Sequence, residues 1–256
     1  MMSQDRIIKV QEIANNSWQA KEFYLLNGWV LRFNEGATGR ANSVLPLNYW
    51  GNDLLGDIRL VELAYKHHNL PARWQLHDGF VPERLFEVLK SEGYKQDPRV
   101  DVMGTDLQTF NRSDRRTTPL FTLSASCRRT KAWTRAFIEL TTHRDRDELG
   151  KMCEIMDRIT IPRKQFLVAH GDDQVAGVIF GVVDRSFLGI MDLVVAPHYR
   201  RKGLATALVT NTVNWASQHS ARSLYLQVLA DNDAAIALYQ KLGLNRWFSY
   251  FYLTQT

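Results

Sequence analysis

The stretch GIMDLVVAPHYRRKGLATALV, Gly189 to Val209, decides how this chain reads. A β-branched apolar run containing Val194 and Val195 stops at Pro197. A cationic cluster follows, Arg200, Arg201 and Lys202, and then Gly203, the small residue Ala205 and an apolar series at helical spacing. This is a buried strand feeding a helix whose first turn lacks bulk and carries positive charge. The first N–H groups of a helix have no internal partner, and the helix dipole favours anions there. A diphosphate fits such a turn, directly on its backbone.

Around this segment the totals are those of a packed globular protein: 256 residues, 45% hydrophobic and 23% charged, enough for one large domain or two of about 100–150 residues each. No apolar run reaches the roughly 18 residues that span a bilayer, and MMSQDRIIKV lacks the apolar core of a signal peptide. Cys127 and Cys153 are the only cysteines. They make neither a disulfide framework nor, with the histidines, a metal-ligand spacing, so a reduced, cytoplasmic, metal-free protein is expected. The net charge of +5 is uneven. Residues 1–120 balance, 15 Lys+Arg against 15 Asp+Glu, so the whole excess lies in residues 121–256, with the anion-binding turn. That excess suits a small anionic ligand. No stripe of basic and aromatic residues points to nucleic acid.

The polar segment NRSDRRTTP, Asn111 to Pro119, divides the chain near Arg115 into domains 1–114 and 115–256. In the second, periodicity and turn residues predict strands at 121–127, 166–170, 175–183, 187–195, 223–229 and 248–253, with helices at 131–140, 146–159, after Gly203, and from Asp231 or Asn232 to Gly243. The strand–helix–strand step from 187–195 to 223–229 requires a parallel pair in an otherwise antiparallel, mixed sheet. The first domain repeats the order faintly: strands at 29–33 and 43–47, a helix at 55–67, a strand at 73–77, a helix at 82–92 and a strand at 100–106. Lys90-Ser91-Glu92-Gly93-Tyr94 echoes Lys241-Leu242-Gly243-Leu244, which suggests a divergent internal duplication. The fold class is α/β (α+β), a mixed, mostly antiparallel sheet with helices on both faces.

The turn is followed by LYLQVLADNDAAIALYQKLGL, Leu224 to Leu244. Together the two segments resemble the GCN5-related N-acetyltransferase (GNAT) family. Its R/Q-x-x-G-x-G/A acyl-CoA signature is matched by Arg200, Gly203 and Ala205, and its Asn-then-Tyr pair by Asn232 and Tyr239. The likeness spans about residues 120–256, and the two-part layout is similar to tandem members of that family. It implies that acetyl-CoA is the cosubstrate, that amides from Arg200 through Leu204 and Ala205 to Thr206 surround its pyrophosphate, that amides near Val194 and Val195 hold its pantetheine arm in a gap beside a bulged strand, and that an amine acceptor, a small molecule or a protein amine, attacks directly. Tyr239 is then the acid that protonates the departing thiolate, or else a core aromatic beside Ile236 and Leu242. Asn232 contacts the coenzyme or simply caps a helix.

The base is less well marked. Gln227 stands where some relatives carry glutamate, and Gly189 and Met191 stand where others do. Asp192 is the one carboxylate on its strand, but period-2 alternation turns it away from Met191 unless a bulge intervenes. A water relay or an acceptor arriving neutral are the alternatives. Cys153 falls on an apolar helix face and reads as packing. The first domain has no Arg cluster after Val44-Leu45-Pro46, so no coenzyme site is expected there. A silent acyl-CoA binder, sensor or scaffold, is the competing function. The acceptor and the oligomeric state carry no signal.

Overall fold

Capping residues and glycines mark the element ends. Thr130 accepts from Trp133 N, Asp145 from Glu148 N and Asn232 from Ala235 N, each satisfying an orphan donor at a helix start. A computed structural model describes residues 2–112, 121–172 and 174–255. In order they form α1 (Gln4–Asn16), β1 (Glu22–Leu26), β2 (Trp29–Phe33), β3 (Leu45–Pro46), α2 (Leu54–His67), β4 (Arg73–His77), α3 (Leu85–Ser91), β5 (Lys95–Gln96), β6 (Val100–Asp106), β7 (Thr122–Ser126), α4 (Lys131–Leu140), α5 (Arg146–Arg158), β8 (Lys164–Gly171), β9 (Gln174–Asp184), β10 (Phe187–Val195), α6 (Leu204–Gln218), β11 (Ser223–Leu229), α7 (Asp233–Lys241) and β12 (Asn245–Thr254).

Two compact units result, Met1–Asp101 with Trp247–Thr256, and Val102–Arg246. The boundary expected near Arg115 lies outside the described residues. Most of β6 counts with the second unit, and β12 returns to the first.

In the second unit the strands run β6-β11-β10-β9-β8-β7. β7 to β10 form an antiparallel meander, and β10 pairs β11 in parallel, Phe187 with Ser223 through Ile190 with Leu226. The expected crossover is therefore present. Helices cover both faces. On one, a Cβ at Gly177 would lie 3.2 Å from Leu208 and one at Gly181 2.7 Å from Thr212, so only glycines admit α6 this close to β9. On the other, Trp133 of α4 meets Phe166 and Phe180, whose rings stack 4.4 Å apart.

The first unit has the order α1-β1-β2-β3-α2-β4-α3, which matches α5-β8-β9-β10-α6-β11-α7 of the second. Its β1-β2-β3 are antiparallel, and Val44 bridges Trp74 in parallel, the counterpart of the β10–β11 pair. β4 pairs with β12, and β12 with β5. Trp29 and Trp74 meet edge to face at 4.8 Å in its core, fully buried.

His77, 1% exposed, accepts from Gly79 N at Nδ1, and burial lowers its pKa to about 4. A depressed value contributes stability that is complete above the unfolded pKa of about 6.5 and is lost as pH falls toward 4. Urea unfolding at pH 5 should show about 2 kcal/mol less stability than at pH 8 from this group, and His77→Gln should flatten that part of the profile. An equal acid loss in the variant would contradict it.

Candidate active site

The site begins with an interrupted ladder. On the β9 side, Met191 opposes Phe180 and Val194 opposes Val178, so β10 carries one extra residue. Asp192 sits in the extra turn of chain at φ +51°, a conformation Asp tolerates better than most residues. On the β11 side the parallel register ends at Ile190 with Leu226, although β10 continues to Val195 and β11 to Leu229. The two strands thus stop pairing where the bulge begins.

The turn after β10 is short and tight. Ala196 N donates to Ala176 O, Tyr199 N to Ala196 O and Arg200 N to Pro197 O. Arg200 Nε reaches back 3.2 Å to Val195 O, and the Lys202 ammonium lies 5.6 Å from the Tyr199 ring centroid. Arg201 has φ +61° and Gly203 φ +80°. Gly203 is the N-cap of α6 and supplies no side-chain cap. A Cβ built there meets nothing within 4 Å, so its left-handed conformation, not crowding within the protein, requires glycine. The first bond into the helix is Ala207 N to Gly203 O. Among the described residues, the N–H groups of Leu204, Ala205 and Thr206 have no acceptor. Arg200, Arg201 and Lys202 are exposed, and none forms an ion pair with a described residue. Arg200's own amide is already used by Pro197, so this residue offers an anion its guanidinium.

The corresponding turn of the first unit is closed. Asp53 caps α2, accepting from Gly56 N. Asp57, in the first turn, accepts from Asn27 Nδ2 at 2.9 Å and Tyr49 Oη at 2.8 Å, and a Cβ at Gly51 would run into its carboxylate. Two carboxylates stand where α6 has open amides, and they repel an anion.

Tyr239 is 9% exposed and belongs to the same buried cluster as Ile190 and Leu226, the last parallel pair. It is therefore a core aromatic as well as an acid candidate. Burial pushes its phenol up to about 12, and its hydroxyl bonds to no described residue. Asn232 Oδ1 caps α7 through Ala235 N at 3.1 Å, which leaves its Nδ2 donors. Period-2 alternation fails at Asp192. The bulge turns its half-buried carboxylate into electrostatic reach of Cys153 on α5. Cys153 itself is buried, its thiol pushed up by that burial, and is packing. Sequence reasoning passed over Tyr225, whose hydroxyl would lie 2.6 Å from a Cβ at Gly189, its register partner. A phenol thus covers the backbone at Gly189. At the same end of the sheet as the turn, a groove of about 620 Å³ runs between Lys131, Arg135 and Glu139 of α4 and Gln174 and Val175 of β9.

Among the described residues no cluster of three or more His, Cys, Asp or Glu could hold a metal, and no helix is long and apolar enough to cross a membrane.

Comparison with known proteins agrees with this architecture. Residues 5–253 match the family described as "Probable histone acetyltransferase Rv0428c C-terminal". The chain is 28% identical to the "Uncharacterized N-acetyltransferase YobR" of Bacillus subtilis over 94% of its own length and 95% of the relative's. In fold it is similar to a GCN5-related N-acetyltransferase from Kribbella flavida, TM-score 0.74 at 12% identity, covering 100% of this chain and 96% of that one. It is also similar to a tandem GNAT protein from the clavulanic acid biosynthesis pathway, TM-score 0.65 at 15% identity, covering 96% and 87%. With one family matched across nearly its whole length, the chain belongs to the Rv0428c C-terminal acetyltransferase family, and its fold is that of the GCN5-related N-acetyltransferases, a tandem one among them.

Proposed function

We propose that the second unit moves an acetyl group from acetyl-CoA to an amine by direct attack. The observation that carries this reading is the open turn at Gly203: three amides with no acceptor and three cations with no ion pair among the described residues, at the end of a strand that has lost its neighbour. In this reading the amides of Leu204, Ala205 and Thr206 hold the diphosphate, with Arg200, Arg201 and Lys202 around it. The amides of Val194 and Val195 pair with the pantetheine arm as an added strand. Asn232 Nδ2 supplies a further donor.

Bound acetyl-CoA supplies the thioester. The amine nitrogen forms a bond to its carbonyl carbon, the carbon–sulfur bond breaks, and the sulfur leaves with the electron pair. Tyr239 gives its proton to that sulfur. Asp192 takes the amine proton, directly or through water. The bulge is what makes Asp192 a candidate, because without it the carboxylate would face the other way. Family membership weighs against a silent acyl-CoA binder. The acceptor is an amine whose identity the site does not name.

Two outcomes test the reading. Gly203→Ala places a side chain at φ +80°, which costs about 1–2 kcal/mol of fold stability, and it should weaken acetyl-CoA binding in calorimetry at least tenfold. Unchanged affinity would remove the diphosphate from this turn. With an amine panel followed by free-thiol release, Tyr239→Phe should lower kcat about 100-fold and leave coenzyme affinity intact. Because its phenol is raised to about 12, the wild type should not show the loss of rate near pH 10 that an ordinary tyrosine acid would give. A variant as fast as the wild type would end the acid role.

A further inference from the structure

The first unit contains a second concentration of positive charge that the transfer reaction does not use. In the β4–β12 ribbon, Gln75 lies opposite Tyr252 and His77 opposite Tyr250, so the four side chains share one face. The other face carries Trp74, Leu76 and Leu253 into the apolar core. The polar face is buried as well: Gln75 and His77 are 1% exposed and Tyr250 3%.

Arg32 of β2 enters this face at 2% exposure. Its Nε donates to Ser43 O at 2.9 Å, Nη2 to Ser43 Oγ and to Gln75 Oε1, each at 2.7 Å, and Nη1 to Asn15 Oδ1 at 3.4 Å. Every acceptor is neutral, and Arg32 has no ion pair with a described residue. Its guanidinium is thus a buried charge without a counter-charge, an expensive arrangement. The network runs on, Gln75 Nε2 donating to Gln11 Oε1 at 3.3 Å. It ends at Gln11 Nε2, a buried donor with no acceptor among the described residues.

Arg40 adds a second guanidinium. It follows Gly39, against which the Tyr252 ring packs so closely that a Cβ there would lie 3.0 Å from the Tyr252 hydroxyl. Arg40 stacks 4.7 Å over Trp18 and makes no hydrogen bond or ion pair with any described residue. Arg73 places a third guanidinium 5.5 Å over the Tyr252 ring and meets a carboxylate, Asp97, at 3.9 Å. Around one pair of phenols, three guanidiniums therefore share a single carboxylate contact among the described residues, and the half-buried Arg40 has no acceptor among them.

We propose that Arg40 and the Tyr252 hydroxyl, backed by the fixed charge of Arg32, form an anion site in the first unit that takes the carboxylate or phosphate group of a small molecule. Arg40 supplies a planar fork for two oxygens and Tyr252 a third donor, as planar oxyanions require. Arg32, already committed to four acceptors, contributes field rather than contact. The ligand brings the missing negative charge.

Inorganic phosphate and succinate are the probes, titrated by calorimetry into the full chain carrying Gly203→Asp, so that the α6 turn repels anions. One or both should bind saturably in the millimolar range or tighter. Arg40→Gln should weaken that binding at least tenfold, about 1.4 kcal/mol. Tyr252→Phe should weaken it less, since it removes one donor. Saturation by phosphate alone assigns a phosphoryl ligand and by succinate alone a carboxylate; either supports the site. Arg40 and Tyr252 are each only partly buried, and circular dichroism confirms the fold of both variants. If neither probe saturates, or if folded Arg40→Gln binds as tightly as its parent, the site does not exist.

Discussion

Everything at the proposed active site depends on one extra residue in β10. Between Met191 and Val194 the strand spends three steps where β9 spends two. Three consequences follow from that single insertion. β10 loses its parallel neighbour after Ile190, which leaves a strand edge without a partner strand. Asp192 turns toward α5 instead of away from it. The strand end is delivered to a turn that starts α6 with its first amides uncommitted. Gly177 and Gly181 let α6 lie against β9, so the helix start and the strand gap are held by the same packed core. A buried Leu208, 0% exposed, anchors the helix that presents the amides.

The two units make a comparison within one molecule. Both place a helix after a strand in the same order of elements. In the first, Asp53 satisfies the helix start and Asp57 fills the space before it with two hydrogen bonds. In the second, glycine caps without a side chain, and cations surround the opening. The same backbone device is thus self-satisfied in one copy and left open in the other. An orphan helix donor is tolerated where water or a ligand can reach it. The exposed Gly203 turn meets that condition.

Much of this was legible in the residues. The bounds of β10 and β11 follow from β-branched runs ending at Pro197 and Asp231, and α7 from its Asn232 cap and the glycine at 243, which has φ +88°. The open turn was readable because its chemistry is local. What was not legible is non-local or irregular. α1 has apolar residues at helical spacing but no side-chain cap at Ser3, and β1, Glu-Phe-Tyr-Leu-Leu, has four exposed residues and no alternation to betray a strand. The facing of Asp192 could not be read because a bulge leaves no composition signature. The return of β12 to the first unit depends on pairing with β4, more than 170 positions away in sequence. Nothing in the residues around Arg32 marks it as buried, and only the fold reveals four neutral acceptors around it.

Backbone amide resonances report most directly on whether the open turn grips a coenzyme. Titrating coenzyme A into isotopically labelled protein should shift the N–H signals of Leu204, Ala205 and Thr206 most, with Val194 and Val195 following along the strand edge. The helix start at Leu54 to Gly56 should stay still. If the amides of 204–206 do not move while the coenzyme binds elsewhere, or if it does not bind at all, the account of this site is contradicted.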